Sequence, residues 1–150
     1  MTITGTTNIL KSTSSRHVLP TAALTTGAAL ATNLAVFSLA RARDVSFQFP
    51  QPGSANGTQT VTAVTVAVVT LFTMIVGLAI AARAASHQRP TLRAMAILGV
   101  GIALVSTVGP LTLDAGASVK LTLASLHVIT GGIYVAGLAG LRRANTGVAR

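Results

Sequence analysis

The chain has no cysteine, no tryptophan, a single tyrosine and only two acids among its 150 residues. Without cysteine there are no disulfides, thiolate metal sites or thiol redox chemistry. The two acids, Asp44 and Asp114, both lie outside the apolar runs. That removes the intramembrane carboxylate on which a small proton-coupled exporter depends. It also removes the carboxylates of a buried metal or hydrolytic centre. A haem held between helices needs two axial ligands at one depth. His17 and His87 fall at the ends of runs opposite to His127, and Met74 lies much deeper than His127, so no such pair forms. No catalytic, cofactor-binding or metal-ligating residue is therefore assigned, no cofactor is expected, and the reading is non-enzymatic.

Charge is also scarce, at 9% of residues, against roughly 25% in soluble domains. A soluble domain of this composition would have too little polar surface. The net charge of +9 raises nucleic acid as a partner, but that requires a basic face with an element to enter a groove. Here the basic residues flank apolar runs instead, and no nucleic acid is expected.

What the chain does have is four long apolar runs, at about residues 18–40, 61–82, 94–113 and 119–141. Each approaches or exceeds the ~20 residues that a helix needs to cross a bilayer. Backbone amides in lipid must be satisfied within the segment, which makes these runs helices. The fold class is all-α, an integral membrane four-helix bundle, and the short connections make it up-down-up-down. The transmembrane domain covers residues 18–141.

Orientation follows from the basic residues. Lys11 and Arg16 precede the first run, Arg83, Arg89 and Arg93 separate the second from the third, and Arg142, Arg143 and Arg150 follow the fourth. All belong to one side, whereas Arg41, Arg43, Lys120 and both acids lie on the other. The positive-inside rule then places both termini in the cytoplasm, with an external loop at residues 41–60. With Lys11 and Arg16 ahead of it and Ala40-Arg41-Ala42 behind, the first run also fits a cleaved signal peptide. Its apolar stretch exceeds the ~7 to 15 residues of a signal core, so a retained anchor is preferred.

Residues 1–17, rich in Ser and Thr without apolar periodicity, read as a mobile cytoplasmic tail, and residues 142–150 as a cytoplasmic tail. Pro20 suits the first turn of the first helix, and Pro90 that of the third after the basic turn Ser86-His87-Gln88-Arg89. In the external loop, Val45-Ser46-Phe47-Gln48-Phe49 alternates apolar and polar. Two Phe rings dipping into the membrane interface are preferred over a strand, since no pairing strand is evident. Asn56-Gly57-Thr58 matches a glycosylation sequon, meaningful only in a eukaryotic secretory route. Gly109-Pro110 reads as the end of the third helix rather than a hinge.

Small residues recur every fourth position in all four runs: Gly27, Ala31 and Ala35; Gly77 and Ala81; Gly99 and Ala103; Gly132, Ala136 and Gly140. Lipid provides no hydrophobic drive for helix association, so close backbone approach at such faces supplies the packing. Counted inward from the external ends, Asn33, Ser106 and Thr107 lie roughly 10 Å deep, His127 roughly 12 Å and Thr70 roughly 13 Å. These groups form a polar layer, and Lys120, His127 and Tyr134 repeat every seven residues as one stripe with Thr130 beside it. Lys120 and Asp114 mark its mouth, although together they also read as a loop ion pair. The layer is either interhelical hydrogen bonding, the preferred reading, or an outward-facing pocket in which Asn33 and His127 contact a ligand.

Several short motifs carry a resemblance: Asn33-Leu34 with Ala40-Arg41 closing the first run, Pro52-Gly53 before a Val/Thr-rich second run, Gly109-Pro110-Leu111, and Leu126-His127 followed by Gly131. Across most of residues 18–141 the chain resembles an uncharacterised family of small four-pass actinobacterial membrane proteins. The resemblance implies a multi-pass protein of a bacterial plasma membrane and no defined activity. The expected role is a packing or partner-binding membrane subunit whose partners are the bilayer and either a second copy or another membrane subunit. The alternative is a small-solute carrier or channel using the polar layer.

Overall fold

The computed structural model describes residues 7–50, 57–85 and 90–147. In chain order the elements are α1 (Thr7–Arg41), β1 (Gln48–Pro50), β2 (Thr58–Thr60), α2 (Ala63–Ala85), α3 (Pro90–Ser106), α4 (Val108–Thr112) and α5 (Ala117–Gly147). Four helical stretches are long and apolar enough to cross a membrane: Leu19–Arg41, Ala63–Arg83, Arg93–Thr112 and Ala117–Arg143. The turn at residues 86–89, Pro52, Gly53 and the sequon residue Asn56 lie outside the described residues.

Two boundaries differ from the sequence expectation. Residues 7–17 are helical and continuous with the first span rather than an irregular tail, which places Pro20 inside α1 instead of in its first turn. Only one intrahelical bond is lost there, because proline lacks the N–H that the Arg16 carbonyl would accept. The second difference is at Gly109-Pro110. α3 stops at Ser106, turns at Thr107 and resumes as α4 to Thr112. Pro110 offers no N–H to the Ser106 carbonyl, and the Thr107 N–H bonds to Leu104 O at 3.2 Å, a tightened turn.

Local chemistry sets the other ends. At the start of α2, Thr62 Oγ1 accepts from the Thr65 N–H at 3.2 Å, while Thr65 Oγ1 accepts from the Thr62 N–H at 3.4 Å. This is a reciprocal capping box with Thr in the place usual for Glu. At the end of α1, Asp44 N–H donates to Arg41 O and Val45 N–H to Ala40 O. That is a Schellman cap, and Asp44 holds its left-handed position at φ 59°. Asp is among the few side chains that tolerate this conformation.

The cap throws the chain into an antiparallel hairpin in which Gln48 faces Thr60, Phe49 faces Gln59 and Pro50 faces Thr58. This corrects the reading of Phe47 and Phe49 as interfacial anchors. Both rings are buried, with Phe47 fully so, and the Phe37 and Phe47 ring centroids are 4.6 Å apart. The pairing strand Thr58–Thr60 is polar and exposed on both faces, so it carries no apolar signal.

Two apolar clusters show how the helices run. At the hairpin end, Phe37 and Ala40 from the end of α1 meet Val66 near the start of α2 and Val119, Leu123 and Leu126 near the start of α5. At the opposite end, Ala29 of α1 meets Met74, Leu78 and Ala81 of α2 and Leu138 and Leu141 of α5, with Met95 and Ala96 near the start of α3 beside them. α1 is therefore antiparallel to α2 and α5, and α3 runs with α1, the up-down-up-down order. α5 packs against α1 and α3, whereas α2 and α3 touch each other comparatively little.

The close approaches use fewer of the expected small residues, and different ones on α5. A Cβ at Gly131 would collide with Ala103 of α3, and one at Gly137 with Thr25 of α1. Gly132 has open space around it, as does Gly27, and Ala31, Ala35 and Ala136 are exposed. On α5 the close approaches thus fall at Gly131 and Gly137, on either side of the expected Gly132 and Ala136, while Gly140 of the expected stripe does meet Thr21 of α1. The outward faces of all the long helices carry large apolar side chains, including Phe72, Ile97, Val105 and Leu121. Lipid is the solvent that such surfaces require.

Candidate intramembrane cleft

Beside the limited contact of α2 with α3, a cavity of about 370 Å³ lies between them, floored by α5 and by Asn33 of α1. Tyr134 holds this space open. One edge of its ring would lie 3.2 Å from a Cβ at Gly77 of α2, a tight contact, and the other edge fills the place of a Cβ at Gly99 of α3. Its hydroxyl donates to Gly77 O at 3.3 Å. Two glycines thus let one aromatic wedge separate the helices. Val69 and Ile80 on α2, with Leu98 and Ile102 on α3, line the cavity and are each more than half exposed, so the opening faces sideways into lipid.

The floor is polar. Asn33, only 1% exposed, precedes the end of α1 by eight residues, about 12 Å of helix. Its Nδ2 donates to Thr70 Oγ1 at 2.9 Å and to Thr130 Oγ1 at 2.7 Å, joining α1 to α2 and α5. Interhelical bonds of this kind contribute about 0.6 to 2 kcal/mol each. Thr130 in turn donates its proton to Leu126 O at 2.8 Å. The Asn33 Oδ1 is buried with no hydrogen-bond partner. His127 bonds through Nδ1 to Leu123 O at 2.8 Å. A carbonyl only accepts, so that nitrogen carries the proton, and in the neutral ring Nε2 is left as an acceptor. Ser106 donates to Ala103 O at 2.9 Å.

The structure brings part of the expected layer together. Asn33, Thr70, Ser106 and His127 all line the cavity, with Thr130 and Tyr134 from the α5 stripe. Side-chain bonds across helices join Asn33 to Thr70 and Thr130, and Tyr134 to the Gly77 carbonyl, whereas Ser106 and His127 each bond to a carbonyl of their own helix. Thr107 turns its hydroxyl to Leu104 O at 2.6 Å and lies off the lining. Lys120 and Asp114, the expected mouth, are also off it, because the opening is lateral rather than axial. Sequence reasoning missed the wedge: the spacing of Gly77 and Gly99 was visible as packing, without a sign that one aromatic fills both.

Among the described residues, no three His, Asp or Glu side chains gather as metal ligands. The arrangement can hydrogen-bond and enclose an apolar chain.

Four packed apolar helices and a cleft opening within their lipid-facing surface define a multi-pass membrane protein. Residues 13–144 match a family model described as "Family of unknown function (DUF6069)", and the chain belongs to that family. Comparison with curated proteins and with solved structures gave no match.

Proposed function

We propose that this protein is a non-enzymatic binding subunit of a bacterial plasma membrane, with both termini cytoplasmic, whose lateral cleft holds a small amphiphile. The observation that carries the reading is the cleft itself. Its volume falls in the ~300 to 1,000 Å³ range of ligand sites, with apolar walls and a few convergent polar groups. A site built only to glue helices has no need of Tyr134 forcing α2 and α3 apart. The orientation rests on the basic residues that flank the spans on the side opposite the hairpin.

A second reading, association with another copy or another membrane subunit, is favoured by Gly27, Ala31 and Ala35. They form an exposed small-residue face on α1 that none of the described helices covers. It is compatible with the first.

Native mass spectrometry of the protein released from bilayers tests both. The expected spectrum shows a bound amphiphile that is lost in Ile102→Trp, a substitution at the exposed rim that fills the mouth. A ligand-free spectrum for the unaltered protein contradicts the cleft reading, and a purely monomeric one without any partner contradicts the second.

A further inference from the structure

Resting on the cleft reading, we infer that the occupant is an uncharged lipid from the leaflet on the hairpin side, held with its head toward the hairpin and its tail past Tyr134. Two observations carry this. The polarity of the lining changes along the cleft, and no Lys, Arg, Asp or Glu takes part in it.

Tyr134 marks the change. Its ring lies level with Gly77 and Gly99, and α2 and α5 start at the hairpin end whereas α3 starts at the other. Among the lining residues, Thr65 and Thr73 precede Gly77, Ser106 follows Gly99, and His127 and Thr130 precede Tyr134, so all five lie on the hairpin side of the ring. Thr73 is exposed and the other four are half-buried, which leaves each with accessible surface. Beyond the ring the cleft continues between Ile80 of α2 and Met95 and Leu98 of α3, all apolar. One end therefore suits a polar head and the other only hydrocarbon.

The orientation follows from the cost of the reverse. A head at the Met95 end would give up its hydrogen bonds to water and find no polar side chain in return. At the hairpin end it meets hydroxyls and an imidazole, groups that both donate and accept, so hydroxyl, ester and amide heads are all served. A charged head is not. Thr73 and His127 lie ten residues beyond the starts of α2 and α5, about 15 Å of helix, and an unpaired charge at such depth is costly. Because the cleft opens sideways, the lipid enters without leaving the membrane, and its head comes from the side on which the polar half lies.

The test uses the full chain in phosphatidylcholine nanodiscs and three photoactivatable palmitoyl lipids. Two are monoacylglycerols, one with its diazirine beside the carbonyl and one with it near the terminal methyl; the third is lysophosphatidate with the methyl-end diazirine. Labelled residues are mapped by peptide mass spectrometry. The carbonyl-end probe is expected on Thr65, Val69 and Ser106 and the methyl-end probe on Ile80, Met95 and Leu98. Cleft labelling by the methyl-end monoacylglycerol should exceed that by lysophosphatidate about tenfold, since the phosphate has no cation in the lining. Reversed or identical maps for the two monoacylglycerols overturn the orientation, and lysophosphatidate labelling that equals or exceeds theirs overturns the uncharged head; either leaves the cleft reading standing. Labelling of outward residues such as Phe72 with none in the cleft defeats both.

Discussion

Gly131→Val is expected to destabilise the protein by about 3 kcal/mol or to prevent its recovery as a folded species, the upper range for overpacking. A Cβ at Gly131 lands on the Ala103 Cβ, which is bonded directly to its own backbone and cannot swing away. The only relief is separation of α5 from α3, and α3 has little else to hold it, since it scarcely meets α2. Gly132→Val, one residue on, enters open space and should change stability by no more than about 0.5 kcal/mol. Thermal unfolding followed by circular dichroism at 222 nm in one detergent compares the pair. Equal effects at both positions would mean that α5 is rotated about its axis relative to the structure described.

Phe47→Ala carries the second large effect, about 3 to 5 kcal/mol by analogy with buried Phe truncations. The ring is fully buried against Phe37, in the cluster that joins the ends of α1, α2 and α5. Truncating it removes the plug that ties the hairpin to the bundle. Gln48→Ala, on the exposed face of the same strand, should leave the melting profile unchanged. Rings dipped into the interface instead would make Phe47→Ala nearly silent in detergent, so the same melting experiment decides between the two placements.

These two sites show what was legible in the residues alone. The spans were plain because a bilayer imposes a length and polarity that few alternative structures meet, and the charged ends needed no packing information to place. The hairpin was half legible. Val45 to Phe49 alternates, but its partner Thr58–Thr60 is polar on both faces and shows no pattern. The helix faces were ambiguous because Gly131 and Gly132 are adjacent, and a fourfold spacing among abundant small residues cannot choose between them. Only the position of Ala103 does so.

The polar layer was legible as a depth and not as a set of partners. Asn33, Thr70, Ser106 and His127 share the cleft, as depth counting along helices suggests. Thr107 shares the depth but faces away, because the break forced by Pro110 rotates the chain there and its hydroxyl closes on Leu104 O. Lys120 belongs to the same seven-residue series as His127 and Tyr134, yet the opening lies between α2 and α3, away from the end of the bundle where Lys120 sits. The separation of α2 from α3 depends on a tyrosine fitting two glycines from different helices, a coincidence in three dimensions with no counterpart in linear spacing.

The central claim is a cleft between α2 and α3 that is open to lipid and holds a bound amphiphile. An experimental structure of the protein in a lipid nanodisc, at a resolution that shows ordered lipid, tests it most directly. The account predicts elongated non-protein density between α2 and α3. Helices α2 and α3 closed against each other, with no density between them, would contradict it.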